Sequence, residues 1–247
     1  MADSASRILI DGARAAYVGP SLKLAPHRVS VAVAAIGIER AFCCTMFAAA
    51  PVSRMTRLAI VPPGARHHID AQGMMAFVYL DAASDDYAAL AQKLACAGDA
   101  EAAVAHDACA ALARTMCAPA ALMDALARVL HLPPRPQTDA ALASIIRALH
   151  DAPQRFDSVR DAALLAGASS RHFQRAFTRA TGVPFRRYRA WARLRVVAMQ
   201  LRDGATLTSA AHDAGFSSSA HFSATFRAMF GLSASTLLKN GAVIEMV

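Results

Sequence analysis

The sequence predicts an α+β protein: a small β-barrel or sandwich with packing helices, then an all-helical region carrying two helix-turn-helix units joined by one long helix. Three observations lead there. Residues 8–80 hold a succession of short runs rich in β-formers, split by Gly, Pro and Asp turns. The stretch Pro133-Pro134-Arg135-Pro136 cannot continue a helix and reads as a linker. The last hundred residues then state one pattern twice. Ala166-Gly167-Ala168-Ser169-Ser170-Arg171-His172-Phe173 runs on through Phe177 to Gly182, and Ala214-Gly215-Phe216-Ser217-Ser218-Ser219-Ala220-His221-Phe222 runs on through Phe226 to Gly231. A short apolar helix, a Gly, a capping Ser and a second helix make a helix-turn-helix, and a tandem pair points to two adjacent stretches of DNA.

The strands are expected at 8–10, 29–38, 42–47, 57–61 and 74–80, with turns at Gly19-Pro20 and Pro62-Pro63-Gly64. From 85 to 130 the spacing becomes helical, as in Leu90, Leu94, Leu122, Leu126 and Leu130. These features divide the chain into a sensor or oligomerisation domain at 1–132, a linker at 133–138 and a DNA-binding domain at 139–240. Everything after Thr138 reads as helical. A first helix covers 140–149. Ser158 and Asp161 form a capping box for a helix ending at Gly167, and Ser169 caps the next, which ends near Gly182. Pro184 opens a long helix from 185 to about 202, stopped by Asp203-Gly204. Thr208 is expected to cap a helix ending at Gly215, and Ser217 another ending at Gly231. The two helix-turn-helix units thus span about 158–182 and 208–231.

Charge separates the two parts. Residues 1–150 carry 13 Lys/Arg against 12 Asp/Glu, whereas residues 151–247 carry 13 against 6. Between Arg171 and Arg195 stand eight arginines and no acid. Charge concentrated in this way points to a polyanionic partner, nucleic acid first. No apolar run reaches the ~18 residues of a membrane span, and the N-terminus lacks a signal-like stretch, so a cytoplasmic location is expected. The five cysteines, Cys43, Cys44, Cys96, Cys109 and Cys117, form no CxxC pair and read as free thiols.

A helical phase sorts the candidate contacts. With Phe173 at the centre of the buried face, Ala176, Phe177 and Ala180 join it at i+3, i+4 and i+7. Arg171 and Arg175 then point away, with Thr178, and His172 and Gln174 flank them. Arg and Gln at the start of a recognition helix suit bidentate contacts to guanine and adenine. Arg179, Arg186, Arg187 and Arg189 lie beyond the tip and suit phosphates. In the second unit, Phe222, Phe226 and Met229 form the core stripe, and Ala220, Ala224 and Arg227 face outward. Ser218, Ser219, His221 and Ser223 are its polar contacts, so this unit reads bases weakly, through methyl groups and DNA shape.

The motifs AGASSRHFQRAF, GVPFRRYRAWARLR and LTSAAHDAGFSSSAHFSATFRAMFGLS, over roughly 155–235, resemble the AraC-type transcription regulator family. The resemblance implies two recognition helices inserted into successive major grooves on one face of the duplex. It also implies promoter DNA, a second copy of the chain and RNA polymerase as partners. The chain departs from the family at Ala220 and Ala224, where an amide or Arg is more usual, and at Ala234, where Pro is common.

Many members carry a cupin-like barrel ahead of the DNA-binding part, and the segments 19–27 and 62–67 resemble a reduced pair of cupin motifs. A metal-binding cupin would place a second His two residues after His27, where this chain has Val29. His27, His67 and His68 are accordingly expected as pocket or edge residues that could meet a small-molecule effector, with no metal and no cofactor. Cys43 and Cys44, adjacent on a strand, should face opposite ways. His106, Asp107, Cys109 and Cys117 read as small buried residues of an Ala-rich helix. No Ser-His-Asp order, phosphate-cradling loop or HExxH occurs, so an enzyme is not expected. A metal- or thiol-dependent sensor, or a cupin-type enzyme with an appended DNA-binding domain, is the alternative.

Overall fold

The computed structural model describes residues 6–11, 14–80, 140–239 and 241–246. The helical segment at 85–130, the linker, His106, Asp107, Cys96, Cys109 and Cys117 lie outside the described residues.

The N-terminal part forms two sheets. Strands β1 (Arg7–Asp11), β2 (Arg14–Pro20), β4 (Ala32–Gly37), β7 (Leu58–Val61) and β9 (Met74–Leu80) belong to one, and β3 (His27–Arg28), β5 (Phe42–Phe47), β6 (Pro51–Thr56) and β8 (Arg66–Asp70) to the other. The first has the order β10-β1-β2-β9-β4-β7, where β10 (Val243–Met246) comes from the far end of the chain; the second runs β3-β8-β5-β6. All pairings are antiparallel except that of β1 with β10. β4 is buried at every position and consists only of Ala, Val, Ile and Gly, as a strand covered on both faces requires. β6 is an exposed edge, so its residues show no burial alternation. Cys44 is buried and Cys43 half-buried, as their alternation on β5 predicts.

Several strand expectations shift. The run expected at 29–38 is strand only over Ala32–Gly37 (β4); Val29, Ser30 and Val31 lead into it from β3, which lies just before the run and belongs to the other sheet. Gly19-Pro20 is not a turn but the end of β2, in register opposite Met75 and Met74 of β9. The C-terminal region is not wholly helical, because β10 adds to the barrel beside β1. An Arg7–Glu245 ion pair at 2.7 Å fastens it there.

The helices are α1 (Ala140–Asp151), α2 (Val159–Leu165), α3 (Ser170–Thr181), α4 (Phe185–Arg202), α5 (Leu207–Asp213), α6 (Ser219–Phe230) and α7 (Ala234–Lys239). Ser158 and Asp161 do form a capping box, Ser169 caps α3, and Pro184 precedes α4. Two caps differ from expectation. Thr206, not Thr208, caps α5, and Ser218, not Ser217, caps α6. Gly182 and Gly231 end α3 and α6 in the left-handed conformation (φ 71° and 76°), which glycine adopts without a Cβ clash.

The apolar side chains gather in two clusters. One is made of helices alone: Ile145, Leu149, Phe173, Phe177, Phe185 and Tyr188 join α1, α3 and α4. The other joins barrel residues such as Val29, Phe42 and Phe77 to Trp191 and Leu194 of α4, Phe216, and Phe222 and Met229 of α6. The proline-rich sequence predicts two separate cores. Instead the second helix-turn-helix unit shares its core with the barrel.

Candidate nucleic-acid interface

Each recognition helix is held by its aromatic face. In α3, Phe173 and Phe177 meet Phe185 of α4 at ring-centroid distances of 5.5 and 5.3 Å, and Tyr188 closes on Phe177 at 5.3 Å. Ser169 Oγ accepts the His172 amide at 3.3 Å and fixes where the helix starts. With that face inward, Arg171, His172, Gln174, Arg175, Thr178 and Arg179 are all exposed. The phase expected from sequence is the phase observed.

In α6, Phe222 is buried against Phe216 at 5.4 Å, and Met229 is buried further along. Ser218 Oγ accepts the His221 amide at 3.1 Å, so this hydroxyl serves the helix cap. Ser219, Ala220, His221, Ser223, Ala224 and Arg227 are exposed. His221 is held in place by Ser217 Oγ, 3.0 Å from its Nδ1, and by the Phe216 ring edge. Both helices therefore offer a free N-terminal face. The first is rich in donors; the second is small and nearly uncharged.

α4 links the two units, and its arginines divide by exposure. Arg186 is exposed and Arg187 half-buried, while Arg193 and Arg195 are buried. Burial holds the Arg187, Arg189 and Arg193 guanidiniums below their usual pKa, and Arg28 of the barrel acts in the same sense on Arg187. Sequence reasoning did not single out Arg28 or Arg193. The repeated arginines of 171–195 hold the signal for Arg193, but Arg28 reaches this surface only through the docking of barrel on helix.

At the barrel end, His27 on β3 pairs with His67 on β8, their rings 4.3 Å apart. Each Nδ1 donates to a backbone carbonyl, of Ala25 at 2.8 Å and of Ala65 at 3.2 Å. A carbonyl only accepts, so both Nδ1 atoms carry hydrogen. Burial, then the neighbouring His27, pushes His67 down to about 4, and burial lowers His27 too. His68 is half-buried on the next position of β8. Among the described residues no group of three or more His, Cys, Asp or Glu could hold a metal ion. The pair lies against the end of α6: the Ala25 amide donates to the Gly231 carbonyl at 2.9 Å, and a Cβ on Gly231 would come 2.8 Å from His27 Nδ1.

The shared core also encloses a cavity of about 100 Å³ between barrel and helices. Tyr17, Phe77 and Tyr79 of the sheet line one side, and Trp191 and Arg195 of α4 with Phe230 of α6 line the other. Its wall is apolar apart from the two phenols and one guanidinium. His27, His67 and His68 do not line it.

Residues 162–240 match the family model described as a helix-turn-helix domain. The match places a helix-turn-helix domain in this part of the chain. The whole structure matches that of ToxT from Vibrio cholerae with a TM-score of 0.58, at 11% identity, covering 92% of this chain and 98% of that one. Unsaturated-fatty-acid-bound ToxT from strain SCE256 matches with a TM-score of 0.55, at 11% identity, over 91% and 95%. At such identities the likeness is one of fold: a sheet-rich domain followed by a helical domain with its helix-turn-helix. No curated protein sequence matches the chain. Among the described residues no helix is long and apolar enough to cross a membrane.

Proposed function

We propose that the chain is a cytoplasmic, sequence-specific transcription regulator that inserts the N-terminal ends of α3 and α6 into successive major grooves of promoter DNA. The observation that carries this reading is the pair of capped, exposed recognition faces mounted on one 18-residue helix, α4. Arg171, Gln174 and Arg175 read base edges; Arg179, Arg186 and Arg187 hold phosphates; Ser219, His221, Ser223 and Arg227 make the weaker contacts of the second unit. The regulator acts as a homodimer and meets RNA polymerase at the promoter. DNA affinity of the full chain should fall by orders of magnitude between ~50 and ~200 mM salt, because several arginines displace counterions. A flat salt response removes the electrostatic part of the reading.

The effector we propose is a small apolar acid in the cavity beside Trp191. An apolar wall with one guanidinium and two phenols suits a hydrocarbon or aromatic body ending in a carboxylate. Solved forms of ToxT hold an unsaturated fatty acid and (E)-4-(8-methylnaphthalen-1-yl)but-3-enoic acid, both of this chemical kind. At about 100 Å³ the cavity takes only a short acid as it stands. A longer one must part the barrel from α4 and α6, and that movement would couple ligand to DNA. Trp191 is the chain's one tryptophan, so its fluorescence reports the cavity directly. Titration with hexanoic and oleic acids should change that emission saturably and shift DNA affinity; unchanged emission with both acids overturns the effector assignment.

A further inference from the structure

On another side of α4 lies a wider concavity of about 620 Å³. Arg186, Arg187, Arg189 and Arg193 of α4 line it together with Arg28 of the barrel and His221 of α6, and no acid is among its lining residues. Two of the arginines are anchored from behind. Arg28 donates to the Gly64 carbonyl at 3.0 Å, and Arg189 donates to the Phe156 carbonyl. Arg193 is 8% exposed, and its buried Nε has no hydrogen-bond partner among the described residues. Its Nη2 rests against the α5–α6 turn, where a Cβ on Gly215 (φ 85°) would come 3.1 Å away. Asp157 acts on both Arg189 and Arg193, and Asp161 acts on Arg189, but neither acid is part of the lining.

Burying guanidinium groups beside one another is costly unless their charge and hydrogen atoms are answered. A phosphate does both: it carries charge opposite to theirs, and its oxygens accept the paired N–H groups of the planar guanidinium fork. The volume lies within the range of small-molecule sites.

We propose that this concavity is a phosphate site built jointly by the barrel and α4, with Arg193 at its floor and Arg28 at its wall. Its phosphate comes from a soluble phosphorylated ligand or from the backbone of bound DNA. The first source goes beyond the reading as a DNA-binding regulator; the second rests on it.

The test uses the full chain and pyrophosphate as probe, at ionic strength matched with chloride. Calorimetric titration should show saturable binding that weakens about tenfold or more in Arg193→Gln and in Arg28→Gln, and is unchanged in Arg160→Gln on α2. Arg28 is exposed on the barrel, so its variant keeps the test valid if Arg193→Gln fails to fold. DNA affinity then separates the sources. Pyrophosphate that competes with DNA, with Arg28→Gln weakening DNA and flattening its salt dependence, identifies the duplex backbone. Pyrophosphate that binds the DNA complex, with DNA affinity unchanged in Arg28→Gln, identifies a soluble ligand. Equal pyrophosphate binding by all four proteins, or none by any, overturns the proposal. A protein that takes pyrophosphate but no DNA sinks the regulator reading and leaves the site standing.

Discussion

The two helix-turn-helix units repeat one sequence pattern yet pack on different things. The first rests on α1 and α4 and closes its own aromatic core around Phe173, Phe177, Phe185 and Tyr188. The second places Phe222 and Met229 in a core that continues into the barrel through Val29, Phe42 and Phe77. Their outer faces differ in the opposite sense. The self-contained unit carries the directional donors Arg171, Gln174 and Arg175, while the unit tied to the barrel presents Ala220 and Ala224. Under the proposed reading the repeat divides its labour: the half with its own core reads sequence, and the half tied to the barrel is the one an effector would hold or release.

The largest expected effect breaks this comparison at its cores. Phe173→Ala and Phe222→Ala should each cost roughly 3–5 kcal/mol, because each empties the centre of a small core. Their reach should differ. Phe222→Ala should speed amide exchange in β3 and in β9 as well as in α6, whereas Phe173→Ala should leave the barrel amides as in the wild type. Equal effects on the barrel would mean that the two units are not separately supported.

Much of this division was not legible in the sequence, and the misses have physical causes. Periodicity places Phe222 on a buried face but says nothing of what covers it, so the shared core appeared as two. In the run Ser217-Ser218-Ser219 three hydroxyls compete for one cap, and only the position of α6 on Phe216 settles it as Ser218. β6 and β8 escaped because Pro51–Thr56 is exposed on both faces and Arg66–Asp70 is mostly polar or charged. β10 pairs with a strand more than two hundred residues away, a contact no local pattern encodes. The recognition faces, by contrast, followed directly from the spacing of Phe173 to Phe177 and Phe222 to Met229, because an amphipathic helix announces its own phase.

A smaller effect separates base contacts from phosphate contacts. Arg175→Ala should cost on the order of 1–3 kcal/mol and relax preference at one base step, whereas Arg187→Ala should weaken all sequences alike. If both variants give the same altered preference in a binding-site selection, the sorting of these arginines is wrong.

The seam between barrel and second unit should also respond to acid. The folded state holds His67 neutral down to about 4, whereas the unfolded chain takes the proton near 6.5. Between those values the unfolded chain binds more protons, so stability is complete above ~6.5 and falls as pH drops towards 4, by about 3 kcal/mol in total from this group. His150, which burial and Arg195 push down to about 3, adds a loss of the same sign. Melting temperatures from pH 7.5 to 4.5 should therefore fall, and His67→Asn should fall less. A variant as acid-sensitive as the wild type would place the titrating group elsewhere.

The central claim, that one repeat reads sequence and its twin is mainly held, is tested most directly by a selected-sequence logo of the full wild-type chain. The account predicts two half-sites about one helical turn, ~10 bp, apart centre to centre, because one helix carries both units towards the same face of the duplex. One half should be sharp and the other blurred, and Ala224→Arg should sharpen the blurred half. Equal information in both wild-type halves would contradict the account, since Ser219, His221 and DNA shape would then carry as much readout as Arg171, Gln174 and Arg175.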